Sequence, residues 1–136
     1  MIENNYISEI RQTIYLHDTD SGGVVYFGNM SRFIEMGFTE WFREFVAPIK
    51  SLNSNYGIFF VVKESKQKFR KSVYYDNEIS IRTELKDMKF YTLTFLTEVK
   101  VKGEVHYSGE TTLTPIDIHS GLPVKIPQEI LNFKGK

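Results

Sequence analysis

Residues 17–29, which read HDTDSGGVVYFGN, combine the side chains of this chain that are best suited to chemistry. Two carboxylates, Asp18 and Asp20, stand beside paired glycines, between the end of a predicted strand and the start of a predicted helix. The first amides of a helix have no partner within it, and they stabilise a carboxylate or a developing oxyanion. Glycines let a ligand approach the backbone closely. The segment is therefore a candidate catalytic site, with the alternative that both aspartates are turn formers or helix caps.

The same segment is a poor match to a metal site. An EF-hand loop that begins at Asp18 needs oxygen ligands at its fifth and twelfth positions, and these hold Gly22 and Asn29. No further ligand stands nearby, because His106 and His119 are distant in sequence. We expect no metal and no other cofactor.

Nucleophiles other than a carboxylate are also poorly supported. The chain has no cysteine, which excludes a thiol nucleophile, disulfides and Cys-based zinc sites. A G-x-S-x-G serine motif is absent, and Ser108 and Ser120 stand in unrelated contexts. Catalysis by this chain would therefore depend on a carboxylate.

Composition favours a soluble, cytoplasmic protein with a single domain over residues 1–136. Its length suits one domain, and 41% hydrophobic residues suffice for a core. The 17 basic and 17 acidic residues balance, which argues against nucleic-acid binding. No apolar run approaches the roughly 18 residues of a membrane span, and the opening MIENNYISEI resembles neither a signal peptide nor an anchor.

Apolar periodicity predicts one strand, one long helix and four further strands. Residues 6–17 favour a strand, and residues 29–46 have the i, i+3/i+4 spacing of a helix, which Asn29 would cap and Pro48 would end. The remaining strands are predicted at 58–71, 78–85, 90–101 and 104–118, with a tight hairpin at the Lys-Gly pair 102–103. The first half of 58–71 is continuously apolar, which indicates burial on both faces.

This order of elements predicts an α+β fold. Short connections imply antiparallel neighbours, so the strands should form one curled antiparallel sheet of five or six strands, with the helix along one face. One helix covers one face only, and an open sheet has free edges. We therefore expect self-association, as a homodimer or a dimer of dimers (a homotetramer).

Three stretches of the sequence resemble a known family. They are DTDSGGVVYF followed by FIEMGFTE in the helix, then FVVKESKQKFRKSVYYD, and finally GLPVKIP. The chain resembles the 4-hydroxybenzoyl-CoA thioesterase-like branch of the hotdog superfamily. Within it, the resemblance is to the Tol–Pal-associated acyl-CoA thioesterases and to 1,4-dihydroxy-2-naphthoyl-CoA thioesterases. It extends over most of the chain and implies hydrolysis of an acyl-CoA to a free acid and coenzyme A.

The resemblance also implies roles for individual residues. Asp20 matches the family's catalytic carboxylate, as nucleophile or general base, and the backbone N–H of Phe27 matches its oxyanion donor. Glu35 matches a polar helix residue that often accompanies the site. Many Tol–Pal members carry His at the position of Phe27, whereas the dihydroxynaphthoyl relatives carry Phe, so the acyl preference stays open.

Candidate contacts to the acyl-CoA substrate lie in three places. In the loop they are Gly23, Val24 and Tyr26, and on the second strand Phe60, for which core packing is the alternative. Near the following turn, Lys86 and Lys89 would meet the CoA phosphates, as basic residues there do in the family; solvated strand ends are the alternative.

Two other functions are compatible with the same fold. Dehydration of a hydroxyacyl thioester usually pairs a His with a carboxylate, and His17 is the only histidine near the motif. A non-catalytic acyl-binding or interaction module would keep the fold without the chemistry. Neither substrate nor mechanism, anhydride or general base, follows from the sequence.

Overall fold

The computed structural model describes residues 6–132. The first five residues, which belong to the opening segment discussed above, lie outside that range. The elements are β1 (Ile7–Thr13), α1 (Phe27–Phe45), α2 (Ile49–Tyr56), β2 (Ile58–Phe69), β3 (Glu78–Met88), β4 (Leu93–Val101), β5 (Glu104–Asp117) and α3 (Gln128–Leu131), with a 3₁₀ turn at Leu16–Asp18.

The five strands form one antiparallel sheet in the order β1-β3-β4-β5-β2. The β4–β5 hairpin turns at Lys102 and Gly103, whose φ angles are 51° and 80°. Two successive positive φ angles match the twist of the flanking strands and so favour a two-residue hairpin. An α+β fold with one antiparallel sheet and a hairpin at this pair is confirmed.

Helix α1 packs on one face of the sheet through Met30, Phe33, Ile34, Gly37, Phe38, Trp41 and Phe42, all buried. These residues follow the helical spacing of the sequence. At Gly37 a Cβ atom would overlap the Thr83 hydroxyl of β3 and come within 3.3 Å of Thr97. The glycine therefore permits a close approach of α1 to the centre of the sheet, which offsets its low helix propensity.

The opposite face of the sheet is polar. Arg82 pairs with Glu98 at 3.9 Å, Glu98 pairs with Lys100 at 4.0 Å, and Lys86 pairs with Glu110. An antiparallel sheet with one such face is stable in water. Cover of this face by a second dimer stays a prediction.

Three expectations about the elements are wrong. Helix α1 begins two residues before Asn29, and its N-cap is Tyr26, which makes no side-chain capping bond. Its end at Phe45, before Pro48, agrees with the prediction, but the sequence did not reveal the next helix, α2, which begins after Pro48. The first strand ends at Thr13, because the chain turns through the 3₁₀ segment before Asp20.

Strand β2 is not buried on both faces, contrary to the expectation from its apolar start. Among residues 6–132 it is an edge strand, paired with β5 only, and Phe59 and Val62 are 46% and 55% exposed. Its unpaired edge is 12 residues long.

No helix among residues 6–132 is long and apolar enough to cross a membrane.

Candidate active site

Asp20 lies in a tight turn that its own side chain helps to close. Its Oδ1 accepts hydrogen bonds from the amides of Gly22 at 2.8 Å and Val24 at 3.4 Å. Its backbone N–H donates to the Val24 carbonyl, and Gly23 N–H donates to the Asp20 carbonyl. Within the described part of the chain, Oδ2 has no hydrogen-bond partner, and the residue is exposed. The turn thus fixes one carboxylate oxygen and leaves the other accessible.

Gly23 makes this turn possible. Its φ is +78°, a conformation that residues with a Cβ rarely adopt. Its carbonyl accepts a hydrogen bond from Tyr75 N–H at 2.9 Å. Next to it, Val24 forms an isolated antiparallel β-bridge with Tyr74, and the N–H of Val25 donates to the Val73 carbonyl. The loop is therefore tied by its backbone to the connection between β2 and β3.

Asp18, two residues before, is buried. Its Oδ2 accepts a hydrogen bond from the Tyr15 amide at 2.8 Å, and its Oδ1 accepts one from Arg32 of α1. The His17 ring nitrogen Nε2 lies 3.6 Å from Oδ1. Burial opposes ionisation of the carboxyl, but the hydrogen bonds from Arg32 and Tyr15, with the charges of Arg32 and His17, outweigh it. As a result the pKa of Asp18 lies below its ordinary value of 3.8.

The first residue of α1 is Phe27, and its backbone amide has no partner within the helix. The Asn29 amide donates to the Tyr26 carbonyl at 2.8 Å, whereas the Phe27 and Gly28 amides have no hydrogen-bond partner among residues 6–132. The Tyr26 ring lies against Gly28, where a Cβ would be 2.7 Å from it. The Phe27 ring packs edge-on against Phe69 of β2, at 5.8 Å between centroids. The helix therefore begins with free donors flanked by exposed aromatic rings.

A groove of about 490 Å³ runs between α1 and β2. It is lined by Gly28, Asn29, Ser31, Arg32, Ile34, Glu35 and Phe38 of α1, by Val62, Ser65 and Gln67 of β2, and by Thr111 of β5. Glu35 is exposed in this groove. It lies eight residues beyond Phe27, about 12 Å along the helix axis at 1.5 Å per residue. The structure thus brings Glu35 to the same groove as the helix start but not to Phe27 itself.

Gln67 was missed by the sequence analysis. The buried Tyr107 hydroxyl donates to its Oε1 at 2.6 Å, and its Nε2 donates to Ser65 at 3.1 Å. A register shift between Val62 and Glu64 changes which residues of β2 face α1. Strict alternation from the apolar start of the strand therefore assigns Ser65 and Gln67 to the wrong face.

Other predicted contacts are separated from Asp20 within one chain. Phe60 packs against Phe42 in the core, at 5.0 Å between ring centroids, and does not line the groove. Lys86 pairs with Glu110, and Lys89 lies 3.8 Å from Asp87. Both lysines are at the far end of β3 from the Asp20 loop, and the 11 residues of this strand extend over about 36 Å.

A long helix packed across one antiparallel sheet is the architecture of a hotdog-fold protein. The family model of the thioesterase-like superfamily matches residues 14–133, and the chain belongs to that superfamily. The expected family, fold and enzyme class, a thioester hydrolase, are thereby confirmed at the level of the family.

Individual relatives agree with this assignment. The acyl-CoA thioesterase YbgC of Haemophilus influenzae is 25% identical over 130 residues, which cover 96% of this chain and 94% of the relative. The 1,4-dihydroxy-2-naphthoyl-CoA hydrolase of Thermosynechococcus vestitus is 25% identical over 75 residues, or 55% of this chain and 51% of the relative. The solved DHNA-CoA thioesterase of Staphylococcus aureus shares the fold, with a TM-score of 0.84 at 20% identity over 96% of this chain and 95% of that one.

Proposed function

We propose that this protein hydrolyses an acyl-CoA thioester to a free acid and coenzyme A, with Asp20 as the catalytic carboxylate. One observation carries the proposal: a carboxylate with one accessible oxygen lies in a turn seven residues before Phe27, whose backbone amide is unpaired at the start of α1. A nucleophile or base beside preorganised N–H donors is the arrangement that acyl transfer requires.

In the proposed reaction the thioester oxygen accepts a hydrogen bond from Phe27 N–H, and the positive end of α1 stabilises the charge that develops there. The accessible Oδ2 of Asp20 then either attacks the carbonyl carbon or removes a proton from an attacking water. In the first route CoA leaves as the thiolate and an anhydride remains, which water hydrolyses. In the second, water adds directly and the thiolate leaves. A thiolate is a good leaving group, so neither route requires a strong general acid.

The groove between α1 and β2 is proposed to hold the acyl group. Its apolar side chains, Ile34, Phe38 and Val62, suit a hydrocarbon or aromatic body. Glu35 and Gln67 supply polar contacts within it. Gly23, Val24 and Tyr26 border the reacting end, since they lie between Asp20 and Phe27. Phe60 packs against Phe42 in the core and is not among the residues that line the groove.

The free edge of β2 supports a homodimer. Its 12 residues leave a long row of unpaired backbone groups beside exposed apolar side chains. Antiparallel pairing of β2 with β2 of a second copy would extend the sheet and place the start of one strand beside the end of the other. The β3–β4 turn of the second copy, with its Lys86 and Lys89, would then approach the Asp20 loop. A dimer is also the arrangement in which those lysines reach CoA phosphates.

A panel of acyl-CoA substrates tests the proposal. Release of free thiol, measured with a chromogenic thiol reagent, is expected for at least one short aliphatic, aromatic or long-chain acyl-CoA. Loss of water with the thioester intact would instead indicate a dehydratase, and binding without turnover would indicate an acyl-binding module. Light scattering tests the assembly, because a mass of 15.9 kDa at micromolar concentration, that of the monomer, contradicts the dimer.

A further inference from the structure

Asp18 is a buried carboxylate in an otherwise exposed stretch of chain. Its side chain is 3% exposed, while Tyr15, Leu16 and His17 before it and Asp20 after it are exposed. Removing a carboxylate from water is costly unless charge and hydrogen bonds compensate it. A surface turn does not need a buried carboxylate, since the exposed Asp20 closes its own turn through the amides of Gly22 and Val24. The burial of Asp18 therefore calls for another role.

The partners of Asp18 lie on two different elements. The Tyr15 amide belongs to the segment that follows β1, and Arg32 belongs to the second turn of α1. Between these contacts the chain is held by the 3₁₀ turn, in which Asp18 N–H donates to the Tyr15 carbonyl and Thr19 Oγ1 donates to the Leu16 carbonyl at 2.7 Å. Asp18 is thus the point where the segment after β1 is fastened to the helix.

The Asp18–Arg32 ion pair connects the two sides of the proposed reaction centre. Asp20 lies two residues after Asp18, and Phe27 is the first residue of the helix that carries Arg32. The Asp18–Arg32 ion pair therefore joins the two ends of the segment 18–32, which contains both the Asp20 carboxylate and the proposed oxyanion donor, Phe27 N–H. The helix transmits the position of Arg32 to Phe27, because both residues belong to one continuous α-helix, Phe27–Phe45.

We propose that Asp18 and Arg32 are positioning residues, which hold the Asp20 carboxylate in register with the Phe27 amide. The inference rests on the proposed thioesterase reaction, in which these two groups act on one carbonyl. Neither Asp18 nor Arg32 contributes an electron pair or a proton to that reaction. Displacement of a reacting group by about 1 Å is enough to lower a rate 10²-fold, so the loss of this pair should act on turnover.

Asp18→Asn is the decisive variant, since it keeps the shape of the side chain and removes its charge. We expect kcat to fall about 10- to 100-fold while KM changes less than about threefold, because Asp18 is not among the residues that line the groove proposed for the acyl group. Arg32→Lys should retain part of the rate, since it keeps the positive charge, and Arg32→Gln should lose as much as Asp18→Asn. The double variant Asp18→Asn/Arg32→Gln should lose little more than either single variant, because both remove one interaction.

The exposed pair Glu40–Arg43 serves as a matched control on the same helix. Glu40→Gln removes one charge from an ion pair on α1 without touching the loop, and it should leave kcat and KM unchanged. Amide hydrogen exchange gives a second readout that does not depend on turnover. In Asp18→Asn the amides of Gly22 and Val24 should exchange faster than in the wild type, while the Glu40→Gln variant should match the wild type.

The outcomes separate this inference from the proposed function. A wild-type protein that hydrolyses no acyl-CoA refutes the proposed function, and the exchange experiment still tests whether the pair fixes the loop. A wild-type enzyme whose Asp18→Asn variant keeps more than half of kcat, or exchanges at wild-type rates, overturns the positioning role. So does a loss confined to KM. Should Asp18→Asn fail to fold by circular dichroism, the comparison of Arg32→Lys with Arg32→Gln decides in the same way.

Discussion

The two ends of the sheet carry their charges differently. At the end where α1 begins, Asp18 is buried and held by Arg32 and the Tyr15 amide. At the other end, Lys86 and Lys89 are 53% and 75% exposed and pair with neighbouring carboxylates on the surface. A buried charge with fixed partners constrains the backbone around it, whereas an exposed pair contributes little and is exchangeable for a ligand phosphate. The two ends therefore differ in how firmly their charged side chains are held, and the predictions below test the positioning role proposed for the first and the CoA contact proposed for the second.

The largest expected effect is that of Asp20→Asn. The variant preserves shape and hydrogen bonding but removes the charge that both the anhydride and the general-base routes require. Loss of a nucleophile or base commonly costs about 10²–10⁴ in rate, or about 3–5 kcal/mol of barrier. We expect kcat on the best substrate to fall by that factor, with folding unchanged by circular dichroism.

Comparison with Asp18→Asn sharpens this prediction. A variant Asp20→Asn that retains more than about a tenth of kcat would show that Asp20 is not the catalytic carboxylate. If Asp18→Asn were the inactive variant and Asp20→Asn the active one, the catalytic position of the family's motif would correspond to Asp18, two residues before the position assigned here. The buried, paired environment of Asp18 argues against that assignment, because it leaves no accessible carboxylate oxygen.

The next effect concerns the turn that carries Asp20. Gly23→Ala places a Cβ at φ +78°, where no atom lies within 4 Å, so the cost is backbone strain of about 1–2 kcal/mol rather than a clash. Gly121→Ala is a matched control, with φ +73° and equally open surroundings in the turn after β5. Urea unfolding should show similar losses of stability in both, while kcat should fall only in Gly23→Ala. Equal loss of kcat in the two variants would show that the turn has no special relation to the site.

The fold and the site differ in how far the sequence predicts them. The alternation of apolar and polar residues correctly predicts β3, in which Ile79, Ile81 and Leu85 are buried. It succeeds because that strand lies inside the sheet and has one solvent-exposed face. It fails for β2, whose apolar start lies on an edge of the isolated chain. Local sequence also cannot assign a partner on another element. Spacing alone therefore does not distinguish Asp18 from Asp20; the family resemblance does so, and the ion pair of Asp18 with Arg32 gives a physical difference between them. The short helix α2 buries only Leu52 and therefore shows too weak a pattern to be found.

A smaller effect is expected from the pH dependence of stability. The pKa of Asp18 is lowered in the folded state, so its ionised form stabilises the fold above the unfolded value of about 3.8. That contribution is lost as pH falls through the folded-state pKa. One proton accounts for a slope of at most about 1.4 kcal/mol per pH unit.

Asp18→Asn should remove this part of the slope. Urea unfolding of the wild type and the variant between pH 5 and the acid limit of folding measures the difference, on the order of one proton. His17 also lies near Asp18, at 3.6 Å, and His17→Gln controls for its contribution. Parallel stability curves for the wild type and Asp18→Asn in this range would contradict a lowered pKa and weaken the case for a rigid ion pair.

The smallest expected effect is at the other end of the sheet. Contacts to CoA phosphates bind the ground state and the transition state alike, so Lys86→Ala/Lys89→Ala should raise KM severalfold and leave kcat nearly unchanged. The increase should be largest at low salt, where screening is weakest. Because Lys86 is paired with Glu110 and Lys89 lies near Asp87, part of their attraction for phosphate is already offset, which limits the effect.

The double variant Lys50→Ala/Lys102→Ala is the control: it removes two positive charges elsewhere and should leave KM unchanged. If both double variants shift KM equally, the effect is one of net charge; if neither does, the CoA phosphates bind away from the β3–β4 turn. Because the two lysines lie at the far end of β3 from Asp20 of their own chain, a specific increase would also support a dimer in which one copy serves the other.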